Sequence, residues 1–306
     1  MIPILGCLLL QLPAEDAQLV PQVRHAVERS LPWIEKRGTE WIQEKKCASC
    51  HEVTFMLWSH REALERGLAV DSKKLDEWTR WAWDSSLAPP AKGGERGGGL
   101  DTMAQLILAR GGAIGVEKSA GELEGLILSL QNPGGFWKAG GQLPAQRRPP
   151  EETNESSTRW VLLALQSVGP ENEARKRARE KAETWLAGRN PGKSVEPLAL
   201  SVLMNPSEER LKELLARQNE DGGWAFLSGQ TSDALATGQV LYVLGGLGVN
   251  VDPPPVRRAW GFLLRTQRDD GSWKVPSTKA QPKNDLMSSD WGTAWAAIGL
   301  LRTLPR

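Results

Sequence analysis

Cys47-Ala48-Ser49-Cys50-His51 is the stretch of this chain whose residue types and spacing most directly imply chemistry. Two thiols three residues apart can each add to a vinyl group of one haem, and the next residue, His51, is then placed to ligate the iron. A thiol pair at this spacing also serves redox and zinc sites. Here a histidine adjoins the pair, there is no second pair, and Cys7 is the one further cysteine. The pattern therefore predicts one covalent haem c, held by Cys47 and Cys50, with His51 as proximal ligand. The sixth ligand is open. Met103 is the thioether candidate, with His25 and Met287 as others, while Met56 and His60 follow too closely on one helix to reach the opposite haem face. A vacant or water-ligated position would allow ligand chemistry rather than simple electron transfer.

Haem is attached to such thiols outside the cytoplasm, so an extracytoplasmic, periplasmic location is expected. Residues 1–17 read as an export segment, with an apolar run and a cleavage point after Ala14, although the usual basic residues before the run are missing. No later apolar run approaches the ~20 residues needed to span a bilayer. Lys plus Arg is 38 and Asp plus Glu is 37, so no net charge argues for nucleic acid or an anionic membrane. Fourteen Trp against one Tyr and four Phe asks for a structural reason.

The elements that must position the motif are helical. Val23, Val27, Leu31, Ile34, Trp41 and Ile42 form an apolar stripe at helical spacing, which Pro32 is expected to tilt or restart. A second helix begins at residues 53–58 and ends at Gly67. Asp71 or Ser72 caps a third, running to Ser86. Residues 88–99 read as a linker, because they lack the Lys-Ser/Thr ending and the preceding strand of a phosphate loop.

Beyond the linker the chain repeats. Residues 123–137, 211–224 and 259–273 are each an apolar helix ending in Gln, a Gly-rich turn and a Trp. A helix opening on an acid and a Thr follows each: Glu155 to Thr158, Asp233 to Thr237, Asp290 to Thr293. A degenerate copy, residues 174–187 then 197–204, fills the long gap between Trp137 and Trp224. Its run from Arg175 to Arg179 reads as a solvated helix face. Counting back pairs residues 75–86 with 101–109, and 20–46 with 54–65. Six such hairpins predict an all-α (α/α)6 toroid over residues 18–306, with first helices outside and small-residue second helices inside; an open solenoid is the alternative.

These copies resemble the Gln–Trp repeats of squalene–hopene cyclases and the related prenyltransferase barrels. The likeness lies at Gln131 to Trp137, Gln218 to Trp224 and Gln267 to Trp273, and continues into Thr293-Ala294-Trp295. It covers residues 118–306 well and the first hundred only by helix period. The resemblance implies that these turns are structural, each Gln bonding at a helix end and stacking on the indole. It also implies where chemistry would sit, and there the match thins. Class II terpene cyclases protonate substrate with an Asp-x-Asp-Asp motif. In the nearest stretch here Asp233 survives as candidate acid, while Leu235 and Ala236 take the paired-acid positions. An exposed carboxylate near the usual ~3.9 would be ionised at neutral pH. The zinc site of protein prenyltransferases needs Asp, Cys and His in the barrel, but no Cys follows Cys50 and no His follows His60. A full cyclase of this family also has a second barrel domain, and this chain has room for one. Asp101, Asp233 and Asp290 are expected to cap inner helices. If all inner helices start at one end, these acids also form a rim at the barrel mouth.

The haem motif occupies the slot of a Gln–Trp turn in the first hairpin. The expected function is that of an exported c-type haem protein on a terpene-cyclase-like barrel, in electron transfer or redox sensing with a redox partner protein. One alternative is an isoprenoid- or lipid-modifying enzyme, redox or cyclase-like. Another is a binding protein for an apolar or isoprenoid ligand, with structural haem. A deep cavity lined by Leu, Trp and Met would favour the enzyme; a narrow, side-chain-filled centre favours the other two.

Overall fold

The computed structural model describes residues 14–45, 51–88, 100–111, 117–139, 146–189, 192–249, 253–279 and 282–305. Among them are twelve α-helices and no strand, in six hairpins. α1 (Ala14–Lys45) leads to α2 (His51–Glu65), α3 (Ser72–Leu87) to α4 (Leu100–Ala109), and α5 (Glu117–Ser129) to α6 (Pro150–Ser167). α7 (Glu173–Ala187) leads to α8 (Val195–Met204), α9 (Glu208–Ala216) to α10 (Ala234–Gly246), and α11 (Pro254–Thr266) to α12 (Pro282–Thr303). The second helix of each hairpin packs on the next, from α2 through α4, α6, α8 and α10 to α12, and α12 packs back on α2. The ring is closed, as the (α/α)6 toroid requires, and not an open solenoid.

Sequence pattern decides which helices go inside. Every residue of α10 from Ala234 to Leu244 is buried, as is every residue of α8 from Val195 to Val202. A helix apolar or small all round must be covered all round. α11 buries only Val256, Ala259, Trp260, Phe262 and Leu263, the one-sided stripe of an outer helix. α10 and α12 lie backbone to backbone. A Cβ on Gly238 would stand 2.3 Å from the Trp295 carbonyl, and one on Gly299 would stand 2.4 Å from the Gly238 oxygen.

Three Gln–Trp turns bind the outer layer together. Each Trp indole donates to a carbonyl of the outer helix it follows: Trp137 to Ile127 at 2.8 Å, Trp224 to Leu214 at 2.9 Å, Trp273 to Leu263 at 2.8 Å. Each Trp backbone N–H donates to a Thr hydroxyl of the inner helix, on Thr158, Thr237 and Thr293. Each Gln amide donates twice, once within its turn and once to the next outer helix. The second acceptors are Ala178 for Gln131, Pro255 for Gln218 and Ala26 for Gln267. A positive-φ glycine follows the same course. Gly135, Gly222 and Gly271 each abut a carbonyl one turn further along that neighbour, of Lys181, Arg258 and Arg29. The Gln and Gly of the last turn thus hold α11 to α1.

Several elements differ from the sequence reading. α1 runs unbroken through Pro21 and Pro32. Both prolines are exposed, so the carbonyls they leave without amide partners lie toward solvent. Asp233 caps α10, but Asp290 lies well inside α12, because that helix starts upstream at Pro282. Asp101 likewise sits within the first turn of α4. Arg175 is buried and donates to the Leu165, Gly169 and Pro170 carbonyls, so the basic run is solvated only in part. Residues 1–13 of the export segment and 89–99 of the linker lie outside the described residues.

Two glycine substitutions test the closure. Gly248 has φ +76° with open space around it, and Gly271 has φ +82° with the Arg29 carbonyl 2.0 Å from a built Cβ. Gly248→Ala should cost about 1–2 kcal/mol for the left-handed backbone alone. Gly271→Ala should cost about 2–5 kcal/mol, since the clash adds to it. Urea midpoints at unchanged m read the difference; equal losses would show that the contact does not hold the ring.

Candidate functional site

The Gln–Trp turns and the start of each inner helix lie at one end of the barrel, and α2, the inner helix of the first hairpin, also starts there, at His51. α1 ends at Lys45 and α2 begins at His51. Cys47 and Cys50 lie between them, outside the described residues, and His51 is described through its backbone, as the first residue of α2. Thr54, in the first turn of α2, follows an acid as Thr158, Thr237 and Thr293 do. Those three hydroxyls accept the N–H of a turn Trp. The Thr54 hydroxyl is buried and has no protein hydrogen-bond partner. It makes no bond of the kind that the other three Thr hydroxyls make to a turn Trp. Half-buried Trp41 and Ile42 near the end of α1 present apolar surface beside the connection, while Val53 and Phe55 on α2 are buried in the core. These features fit a covalently held haem.

The candidate sixth ligands are scattered. Met103 is buried in the first turn of α4, the inner helix beside α2. Met56 is committed to packing: its sulfur would lie 2.4 Å from a Cβ on Gly38 of α1. The His60 ring is buried with Nδ1 2.8 Å from the Met56 carbonyl, and burial holds its pKa below the usual value. His25 is exposed, 3.9 Å from Glu28, and Met287 is half-buried on α12.

Acids do gather around this mouth, each held differently. Asp290 takes the Trp33 indole N–H at 3.1 Å and Arg37 at 3.0 Å. Glu155 pairs with Arg159 at 2.7 Å. Glu196 accepts from Trp160 at 2.9 Å, from Gln239 at 3.0 Å and from Arg148. Asp233 spends both oxygens on backbone, with Ala236 N–H at 2.8 Å and Phe226 N–H at 3.0 Å. It is buried rather than exposed, and burial pushes its carboxyl up to about 6 against those bonds. Burial also pushes Asp101 up to about 6; Ser157 and Arg148 oppose this and Glu196 adds to it. One Asp101 oxygen has no protein hydrogen-bond partner. The clamp on Glu196 was not legible in the sequence, because Arg148 precedes a helix in an irregular segment and Glu196 belongs to the degenerate copy.

The barrel centre is filled. Trp58, Trp160, Tyr242 and Trp295 meet there with ring centroids 5.2–6.0 Å apart, and Phe55 stands 5.4 Å from Trp295. At the other end Arg302 lies over Tyr242 at 5.1 Å and pairs with buried Glu62. The six residues Gln131, Trp137, Gln218, Trp224, Gln267 and Trp273 are structural, as the preceding bonds show. Among the described residues no group of three His, Cys, Asp or Glu is placed to hold a metal ion, and no helix is long and apolar enough to cross a membrane.

No protein-family model matches the sequence, and no curated protein does. Solved structures do match in shape. A variant of the type II terpene cyclase MstE from Scytonema, in complex with its substrate geranylgeranyl dihydroxybenzoate, superposes with a TM-score of 0.59 at 14% identity, covering 94% of this chain and 99% of that one. MstE without ligand gives 0.57 at 14% identity over 92% and 98%. A protein from Actinoplanes gives 0.53 at 13% identity over 92% and 99%. At these identities the likeness is one of fold, and the fold of this chain is the helical toroid of the type II terpene cyclases.

Proposed function

We propose that this chain is a c-type haem protein built on a terpene-cyclase-like barrel, exported from the cytoplasm and acting in electron transfer or redox sensing with a partner protein. The observation that carries the reading is the place of the Cys47–His51 motif. It falls between α1 and α2, where the Thr54 hydroxyl lacks the bond that a Thr hydroxyl makes in three other hairpins. Cys47 and Cys50 would hold the haem and His51 would ligate its iron; the group supplies reversible one-electron chemistry when bound. The chain's own part is to fix α2. Phe55 packs on Trp291 and Trp295, and Met56 packs on Gly38, so the helix that begins at His51 is held from two sides. The aromatic centre supports a redox protein over an enzyme that must enclose a long hydrocarbon.

A second reading is favoured by Asp101. A buried carboxyl pushed up to about 6, with one oxygen lacking a protein partner, can retain a proton near neutral pH. On that reading the protein is a cyclase-like acid catalyst for an isoprenoid, the class of substrate bound by the MstE variant.

Expression with a haem-maturation system followed by a pyridine haemochrome spectrum tests the first reading. One covalent haem per chain is expected, and none in the variant carrying Cys47→Ala and Cys50→Ala. Wild type without covalent haem would overturn it. Carbon monoxide binding to the reduced protein then reports whether the sixth position is open, and Met103→Ala should open it if Met103 is the ligand.

The Asp101 carboxyl is tested through pH. Its folded value of about 6 exceeds the ordinary 3.8. Between these values the folded state binds the extra proton, so this group makes stability fall as pH rises through the window. Asp101→Asn should match wild type near pH 4 and exceed it in urea midpoint near pH 7.5. A variant no more stabilised at the higher pH would remove Asp101 as a buried acid.

A further inference from the structure

We infer that the gap between α7 and α9 is a binding site for a phosphate-sized oxyanion. The gap arises where the repeat degenerates. Gln131 and Gln218 enter their turns by donating backbone N–H to Leu128 at 3.3 Å and Leu215 at 3.1 Å. Arg189 makes the same bond to Leu186 at 3.0 Å, and an Asn-Pro-Gly follows it as one follows Gln131. Arg189 therefore stands where the other turns have their stapling Gln. It does not reach a carbonyl of the next outer helix. Its guanidinium lies over the Trp185 ring at 4.0 Å and pairs at 3.1 Å with Glu151, an acid 83% exposed. The turn is held by another residue: the Glu152 carboxylate accepts the N–H groups of Lys193 at 3.1 Å and Ser194 at 2.8 Å. Arg189 is thereby released from structural duty.

What it faces is a cavity of about 140 Å³, floored by Pro197 and Leu198 of α8 and lined by Arg159, Arg189 and Arg210. Two acids also line it, and each already has a cation of its own. Glu155 is paired with Arg159 at 2.7 Å and Glu213 with Arg217 at 2.7 Å. Among the described residues Arg210 of α9 has no acid partner. It acts on Arg159 as a like charge, adding to the burial that lowers the Arg159 pKa. Two guanidiniums brought together beside a third, with one charge uncompensated, form an arrangement that an anion stabilises and water alone serves poorly. The forked donors of Arg match the oxygens of phosphate. The class is inorganic phosphate or a small phosphate monoester.

Isothermal titration of the full-length protein with inorganic phosphate, and separately with glycerol phosphate, tests this at ionic strength matched with chloride. Saturable phosphate binding is expected. Arg210→Gln, at an exposed position, should weaken it about tenfold or more, the loss of one charge-assisted contact. Arg189→Gln restores the residue of the other turns and should weaken binding similarly while leaving the helical circular dichroism unchanged. Equal affinity for glycerol phosphate assigns the site to monoesters, and binding of the inorganic ion alone assigns it to the free anion. No saturable binding of either probe, or affinity unchanged in Arg210→Gln, would overturn the proposal. Arg210→Gln decides alone if Arg189→Gln does not fold.

Discussion

The barrel depends on one contact made three times, a glutamine amide shared between a carbonyl of its own turn and a carbonyl of the next outer helix. A single hydrogen bond of this kind contributes only about 1 kcal/mol net. Its importance comes from what it joins. A string of helical hairpins touches only its neighbours and gains nothing by itself from closing. Gln267, bonded to Ala26, links the last outer helix to the first, and Gly271 lets the turn approach Arg29 closely enough for the bond to form. The inner ring closes by a different means, the packing of α12 on α2. α1 touches both closures, packing on α2 and α12 of the inner ring and on α11 of the outer layer.

Close approach of α10 and α12 has a consequence for the core. Glycine against backbone brings two inner helices nearer than side chains would allow, and four large rings then occupy the space inside. Among the described residues these rings form part of the core, while carboxylates gather at the inner-helix N-termini, which favour negative charge. Burial works against the same carboxylates. Asp101 and Asp233 are both pushed up to about 6, so each of these helix starts is a compromise between its dipole and the loss of water, whereas Asp290, well inside α12, is pushed up to about 6 by burial against the opposing charge of Arg37.

The toroid was legible in the sequence because its determinants are local and repeated. A Gln, a Gly-rich turn and a Trp recur with helical stripes between them, and the small-residue helices announce an interior. The helix starts were less legible. Asp290 read as a cap because an acid followed by a Thr opened the other inner helices, yet α12 begins upstream at Pro282. The true partners of Asp290, Trp33 and Arg37, lie more than 250 residues away in sequence. No pattern of spacing could reveal them. The same holds for Glu196, whose three donors come from three separate segments. Asp233 was legible as a cap and illegible as a buried group, because exposure is a property of the packed ring and not of the turn.

A stapled turn is poorly suited to carry chemistry. Its Gln, its glycine and its Trp are each bonded to backbone, and any change there is transmitted to two helices. Turns that lack the staple are released from this constraint. The α7–α8 turn has Arg189 in the Gln position and uses Glu152 to hold its amides, so the Arg189 guanidinium, paired with Glu151, lines a cavity instead of stapling the next helix. The α1–α2 connection has a thiol pair and a histidine where a Gln, glycines and a Trp would stand, and the Thr54 hydroxyl lacks the bond. In the α7–α8 turn the departure from the repeat supplies a charged side chain at a position that the rest of the ring fixes. A repeat barrel can therefore gain function at a turn without losing its closure, provided that the staples at Gln131, Gln218 and Gln267 remain.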